Sequence, residues 1–178
     1  MFSDQVAQYK FGTSWSGSEN THLRGFETTV SDLNYAATGA YQAANSQERI
    51  DIKLVKNSSG GTLADKKVVK WKATAIGTEV DSLCGDEEKG AGIVAAFGRS
   101  TGTIPDGEHF WLVTRGRRTV VSDGSAITNL SALTTAANGK VKLQDAAVGD
   151  IAAHCGIANA NPADVDGTEF EAFVSFDY

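Results

Sequence analysis

The chain has 178 residues, with 16 Lys+Arg against 22 Asp+Glu and a formal net charge of −6. That balance argues against coating DNA or RNA, which runs on clustered positive charge, so no direct nucleic-acid partner is expected. Hydrophobic residues make up 41 % and charged residues 21 %, which suits one globular core and excludes wholesale disorder.

No run approaches the roughly 20 apolar residues of a membrane-spanning helix, so no membrane partner is expected. Residues 1–10 are polar and no apolar stretch of a secretory signal follows them, which points to synthesis in the cytoplasm. Cys84 and Cys155 lie far apart in sequence and read as buried, reduced thiols. The 19 Gly and 2 Pro, set among Thr, Ser, Ala and Val, predict many short strands joined by Gly and Asx turns.

Residues 1–48 read as an N-terminal arm. The segment is polar, yet Phe2, Tyr9, Phe11, Trp15, Phe26, Tyr35 and Tyr41 are scattered through it. A flexible linker rarely carries so many aromatics, and a self-contained domain would bunch them. The pattern suits a segment that gains order on a surface, its own domain's or a neighbour's. Fully extended it would reach roughly 160 Å.

Residues 49–178 read as a β domain. Ile50, Ile52 and Leu54 alternate with Asp51 and Lys53, the period of a half-buried strand. Asn57-Ser58-Ser59-Gly60-Gly61 is a turn, and Val68-Val69-Lys70-Trp71-Lys72-Ala73 resumes as a strand with Lys66, Lys67, Lys70 and Lys72 toward water. An acidic loop, Asp86-Glu87-Glu88, precedes a short buried strand over residues 93–97. Ile104-Pro105-Asp106-Gly107 fits a type I turn with Pro second and Gly fourth. Residues 110–113 and 117–121 are strands with Gly116 as a bulge or kink between them. Asn138-Gly139 is a two-residue hairpin signal between residues 133–136 and 140–143. Residues 151–158 and 168–176 supply the last strands, the second with Phe170, Ala172, Val174 and Phe176 on one face and Glu169, Glu171, Phe173 and Ser175 on the other. The turn spacing predicts a mainly β fold, a small β-barrel or sandwich behind a long irregular N-terminal arm.

Motifs of known chemistry are weak. Gly90-Ala91-Gly92-Ile93-Val94-Ala95 matches a dinucleotide string, but an acidic loop precedes it and β-prone residues follow, so no cofactor is expected. Asn161, Asp164, Asp166, Gly167 and Glu169 miss the EF-hand register, because Pro162 and Phe173 stand where acids belong. His22, His109 and His154 have no metal-ligand spacing, so no metal is expected. No G-x-S-x-G elbow or Cys/His signature is present, and the protein is not expected to be an enzyme. Arg115, Arg117 and Arg118 form the densest basic patch. They suit a carboxylate-rich partner surface, and the alternative is pairing with acids of the same chain. Alternation puts Arg115 and Arg117 on one side of a strand and Arg118 on the other, unless Gly116 bulges.

From residue 49 onward the layout resembles the capsid decoration, or cement, proteins of tailed bacteriophages. Three segments carry the resemblance: residues 53–63 with Val68-Val69-Lys70-Trp71; Ile104-Pro105-Asp106-Gly107 through Phe110-Trp111-Leu112-Val113 to Asp123-Gly124; and Asn138-Gly139-Lys140, Gly149-Asp150-Ile151 and Gly156-Ile157-Ala158 before a final apolar strand. The 48-residue arm and the His154-Cys155 pair depart from the simpler members. The resemblance implies a virion structural protein on the outer surface of the head, made in the host cytoplasm and bracing the shell against DNA pressure. It implies the major capsid protein as partner, self-association as a dimer or trimer, and no catalytic residues. Tyr9, Phe11, Trp15 and Phe26 in the arm, with Arg115, Arg117 and Arg118, are the expected capsid or subunit contacts. The alternatives are a tail-tube or head-completion protein and, from another class, a carbohydrate-binding β-module using Trp15, Trp71 and Trp111.

Overall fold

The computed structural model describes residues 25–31, 34–35, 41–42, 49–96, 101–146 and 148–176. In chain order the strands are β1 (Glu27–Ser31), β2 (Asn34–Tyr35), β3 (Tyr41–Gln42), β4 (Arg49–Asn57), β5 (Leu63–Ala64), β6 (Val68–Trp71) and β7 (Glu79–Leu83). They continue as β8 (Gly92–Ala95), β9 (Thr103–Ile104), β10 (His109–Val121), β11 (Ala132–Ala136), β12 (Lys140–Leu143), β13 (His154–Ala158) and β14 (Glu169–Ser175), with the short helix α1 (Val148–Ala152) before β13. The fold is mainly β, and ten of these strands form one mixed sheet.

That sheet closes twice. Strands β4, β7, β6, β8 and β10 pair in that order, and β10 returns to pair with β4, which makes a five-stranded barrel. The β4–β7 contact is parallel and the other four are antiparallel. The second half of β10 then starts another circuit through β14, β13, β11 and β12. A parallel bridge between Ser122 and Val141 and a 3.0 Å bond from the Asp123 N–H to the Val141 carbonyl bring β12 back to the end of β10. In the first circuit closure pairs both edges of the sheet, and in the second β12 is joined to β10 at one end only.

Each barrel has its own core. Val55, Val69, Val80, Val94, Phe110 and Leu112, drawn from all five strands, fill the first. The second gathers Val120, Leu133, Val141, Cys155, Ala158, Phe170, Ala172 and Val174, and runs on to the outward faces of the first barrel at Ile52, Leu54, Ile93 and Trp111. The wall between the cores is therefore buried on both sides. This is why β8 and the first half of β10 read as unbroken apolar runs rather than alternating ones.

Turn chemistry follows the residues. Asn138 (φ 60°) and Gly139 (φ 67°) both take the left-handed conformation, but the β11–β12 loop has three residues, Ala137–Gly139, between paired Ala136 and Lys140, and not the two expected. Asn57 is fully buried; its amide donates to the Gly61 and Ile104 carbonyls at 2.9 and 3.0 Å and its Oδ1 accepts from the Ser59 N–H, locking the turn after β4. Three further expectations need correction. The turn after β9 is closed by Glu108 N–H to Pro105 oxygen, so Gly107 (φ 80°) is its third residue, where a positive φ is required, and not the fourth. Residues 148–152 are helical, so the strand expected from residue 151 begins at His154. Finally, residues 109–121 are one strand; Gly116 stays in register opposite Val174, and the irregularity falls between Val113 and Arg115.

Residues 27–31, within the segment read as the arm, form β1 and pair antiparallel with β4 from Glu27↔Lys53 to Ser31↔Arg49. Among the described residues no helix is long and apolar enough to cross a membrane.

Candidate contact face

The irregularity in β10 decides where its arginines point. In the first half of the strand, Trp111 and Val113 face the second core. Without an extra residue the same parity would send Arg115 and Arg117 into that core. The bulge shifts the parity by one, so that Val120 faces inward while Arg115 is exposed. Thr114, at the bulge, is satisfied: its hydroxyl donates to the Asp51 carbonyl at 3.2 Å and its own carbonyl accepts the Phe176 N–H at 3.0 Å.

Arg115 and Arg117 thus share the outer face, and Arg118 lies on the other, as strand alternation requires. Their partners differ. Arg118 is mostly buried and pairs with Asp65 at 2.7 Å, whose Oδ1 also accepts the Ala96 N–H at 2.9 Å. It ties the second half of β10 to the loop after β5. Arg117 donates from Nε to Glu171 Oε2 at 3.0 Å, and its Nη2 contacts the same oxygen. Arg115 lies on a groove of about 460 Å³ with Thr29, Asp51, Ser175 and Phe176. The sequence groups the three arginines; the structure separates Arg118 from the other two.

Directly across β14 and β13, one row of the outer face reads Arg117, Phe173, Ile157 and Ala132. Phe173 and Ile157 are each 42 % exposed. Ile157 points outward because β13 also carries an irregularity: neighbouring Cys155 and Gly156 are both buried, which breaks the alternation and puts Ile157 outside and Ala158 inside. Gly156 is required there, since a Cβ on it would stand 2.3 Å from the Phe173 carbonyl oxygen. The residue-by-residue reading places Phe173 on the polar face of the last strand but does not single it out, and it assigns no side to Ile157. The usable signal is a lone aromatic among Glu169, Glu171 and Ser175.

Of the other expected contacts, Phe26 is 37 % exposed beside β1, where its carbonyl accepts the Leu54 N–H at 2.9 Å. Tyr9, Phe11 and Trp15 lie outside the described residues. Trp111 is 5 % exposed in the second core, whereas Trp71 packs on the first with Lys53 Nζ 5.7 Å from its ring centre, so the two do not share a sugar platform.

The remaining polar clusters are internal fastenings. The acidic loop joins the two barrels. Glu88 accepts the Gly85 N–H at 2.7 Å and Lys70 at 3.0 and 3.1 Å, and Lys142 reaches Asp86 at 2.9 Å and Glu87 at 3.3 Å. The Gly85 N–H and then Lys70 hold the Glu88 carboxyl below its ordinary value, and Lys70 is raised in turn by its bond to Glu88. In the loop before β14, Asp166 pairs with Lys140 and Glu169 with Lys66, both at 2.5 Å, and Asn161 accepts the Asn129 N–H. Of the dinucleotide-like string, Gly90 lies just before β8 and Gly92 opens it, and both are needed for packing: a Cβ on Gly90 would meet Phe176 at 2.6 Å, and one on Gly92 would meet Leu112 at 2.6 Å. Cys84 and Cys155 are free and buried in the second core. Burial pushes the Cys84 thiol up to about 12 and raises Cys155 as well, which keeps both out of the nucleophilic thiolate form.

No family model matches the chain, and no curated protein matches it. Among solved structures it is similar to the crystal structure of the head fiber gp8.5 N base of bacteriophage phi29, at 15 % identity and a TM-score of 0.48, over 71 % of this chain and 94 % of that one.

Proposed function

We propose that this is a virion structural protein that binds the outer surface of a phage head and stabilises the shell, as a decoration or cement protein. The observation that carries the reading is the order of the resembling segments on the fold. Residues 53–63 and Val68–Trp71 build the first barrel; the Pro105 turn leads into the shared strand; Asn138-Gly139 and Gly156-Ile157-Ala158 build the second barrel. A clamp on a shell needs a stiff body and a complementary surface, and repetition over many copies lowers the demand on each contact. A closed double barrel supplies the stiffness, and net negative charge keeps the protein soluble before assembly.

In this reading the arm aromatics Tyr9, Phe11 and Trp15 engage neighbouring subunits, and Arg115 and Arg117 face the shell. Because β1 is part of the sheet, the truncation that tests the arm removes residues 1–24 and retains β1. The function itself is tested by co-sedimenting the purified protein with undecorated, expanded heads of the encoding phage. Saturable binding at a fixed ratio to the major capsid protein is expected. Absence of binding, with rings or tubes formed by the isolated protein, would replace the reading with a tail or connector role.

A further inference from the structure

Two strand irregularities flank β14, and both re-aim side chains onto the same outer face. The one in β10 turns Arg115 and Arg117 outward, and the one at Gly156 turns Ile157 outward. Between them, unbulged β14 presents Phe173. Bulges re-aim side chains at functional edges and rims of sheets more often than chance allows. Here they produce an apolar pair, Phe173 directly opposite Ile157, in a row with Arg117 and next to exposed Arg115. Side chains directly opposite on neighbouring strands lie about 5 Å apart, so the pair forms one continuous strip.

The charges around the strip narrow its occupant. Glu171 engages Arg117, and Glu169 engages Lys66. Among the described residues the Arg115 side chain makes no hydrogen bond or ion pair, which leaves one uncommitted cation at the end of the strip. Both carboxylates beside the row are thus offset by cations, and Asp51, opposite Arg115, accepts the Thr29 hydroxyl at 2.6 Å. One arginine among paired charges is too little for a phosphate backbone, which needs clustered positive charge, whereas a single arginine beside an aromatic is the usual makeup of a protein–protein anchor. We infer that the outer face of β10–β14–β13, centred on Phe173 and Ile157 with Arg115 at its end, docks a protein surface that presents a carboxylate beside an apolar side chain. This rests on the decoration reading, which makes that surface part of the head exterior.

The test is co-sedimentation with undecorated heads of wild type, Phe173→Ser, Arg115→Glu, Arg115→Lys and, on the first barrel, Ile76→Ser, alongside sedimentation velocity of each free protein. Wild type is expected to bind saturably. Phe173→Ser and Arg115→Glu are expected to weaken binding about tenfold or more, as loss of an interface anchor does. Arg115→Lys should retain part of the affinity and Ile76→Ser all of it. Unchanged circular dichroism separates lost contact from lost fold. If wild type binds and Phe173→Ser and Arg115→Glu bind equally well, this face is not the docking surface, although the decoration reading stands. If those two variants change self-association while head binding stays normal, a second copy of the chain covers the face and the inference is overturned. If wild type does not bind heads, the decoration reading fails and takes this occupant with it.

Discussion

The two barrels share a strand and have the same number of strands, yet they use their surfaces in opposite ways. The first presents much of its outward face, through Ile52, Leu54, Ile93 and Trp111, to the second core, so both sides of that wall are buried. The second carries most of its strand apolar side chains inward and leaves Phe173, Ile157, Leu143 and Arg115 outside. Two faces of one sheet thus divide the labour: the first barrel is a scaffold, and the second holds an outward-facing strip at fixed spacing. Substitutions in either core should therefore affect stability, whereas substitutions on the outward strip should affect recognition and leave the fold intact.

The largest separation is expected from Leu112→Ala against Phe173→Ser. Leu112 is fully buried in the first core, and its truncation should cost about 2–5 kcal/mol through lost transfer energy and a residual cavity. Thermal unfolding should show a midpoint lowered by roughly 10 °C. Phe173→Ser, half in water already, should shift stability by less than about 1 kcal/mol. Comparable losses for both variants would erase the distinction between scaffold and contact face.

Next in size is Gly156→Ala. The added methyl group meets a backbone carbonyl and cannot be relieved by rotating a side chain. A loss of about 1–3 kcal/mol is expected in denaturant unfolding, together with movement of Ile157 out of line with Phe173. Wild-type stability in this variant would show that the β13 irregularity is not needed to aim the strip.

Asp65→Asn should cost about 1–2 kcal/mol, because it removes the charge that Arg118 meets in a mostly buried site. Arg117→Gln should cost much less, since its pair with Glu171 lies at the surface. Equal costs would contradict the separation of Arg118 from the other two arginines.

The smallest effect concerns the joint between barrels. The Glu88 carboxyl is held below its ordinary 4.5 by the Gly85 N–H and Lys70, so its ionised form stabilises the fold above the unfolded value. That contribution is lost as pH falls through the lower, folded value. Glu88→Gln should therefore slightly lower stability at neutral pH and reduce its fall in acid. An identical acid profile in wild type and variant would remove Glu88 from the joint.

Much of the fold was legible because its signals are local. Alternation at Ile50, Ile52 and Leu54 and the two faces of residues 169–176 each depend on neighbours in sequence, and each appears as read. Asn138-Gly139 gives its hairpin the right place but one loop residue too few, because Ala137 joins the turn. The shared wall left only an indirect trace, the continuous apolar runs of β8 and β10, because burial on both sides needs a partner distant in sequence. The bulges were less legible still. Gly116 advertised a break, but the parity shift falls at Thr114, whose hydroxyl and carbonyl find partners only after β4 and β14 are in place. Arg118 could not be told from Arg115 by type or spacing. Its role depends on Asp65, 53 positions away.

The central claim, that the second barrel's outer face is the one that meets the head, is tested most directly by hydroxyl-radical footprinting of the free and head-bound protein. Phe173 and Ile157 are expected to react when the protein is free and to be protected when it is bound, while exposed Ile76 on the first barrel and Val165 react equally in both states. Protection of Ile76 with undiminished reaction at Phe173 and Ile157 would contradict the account and move the contact to the first barrel.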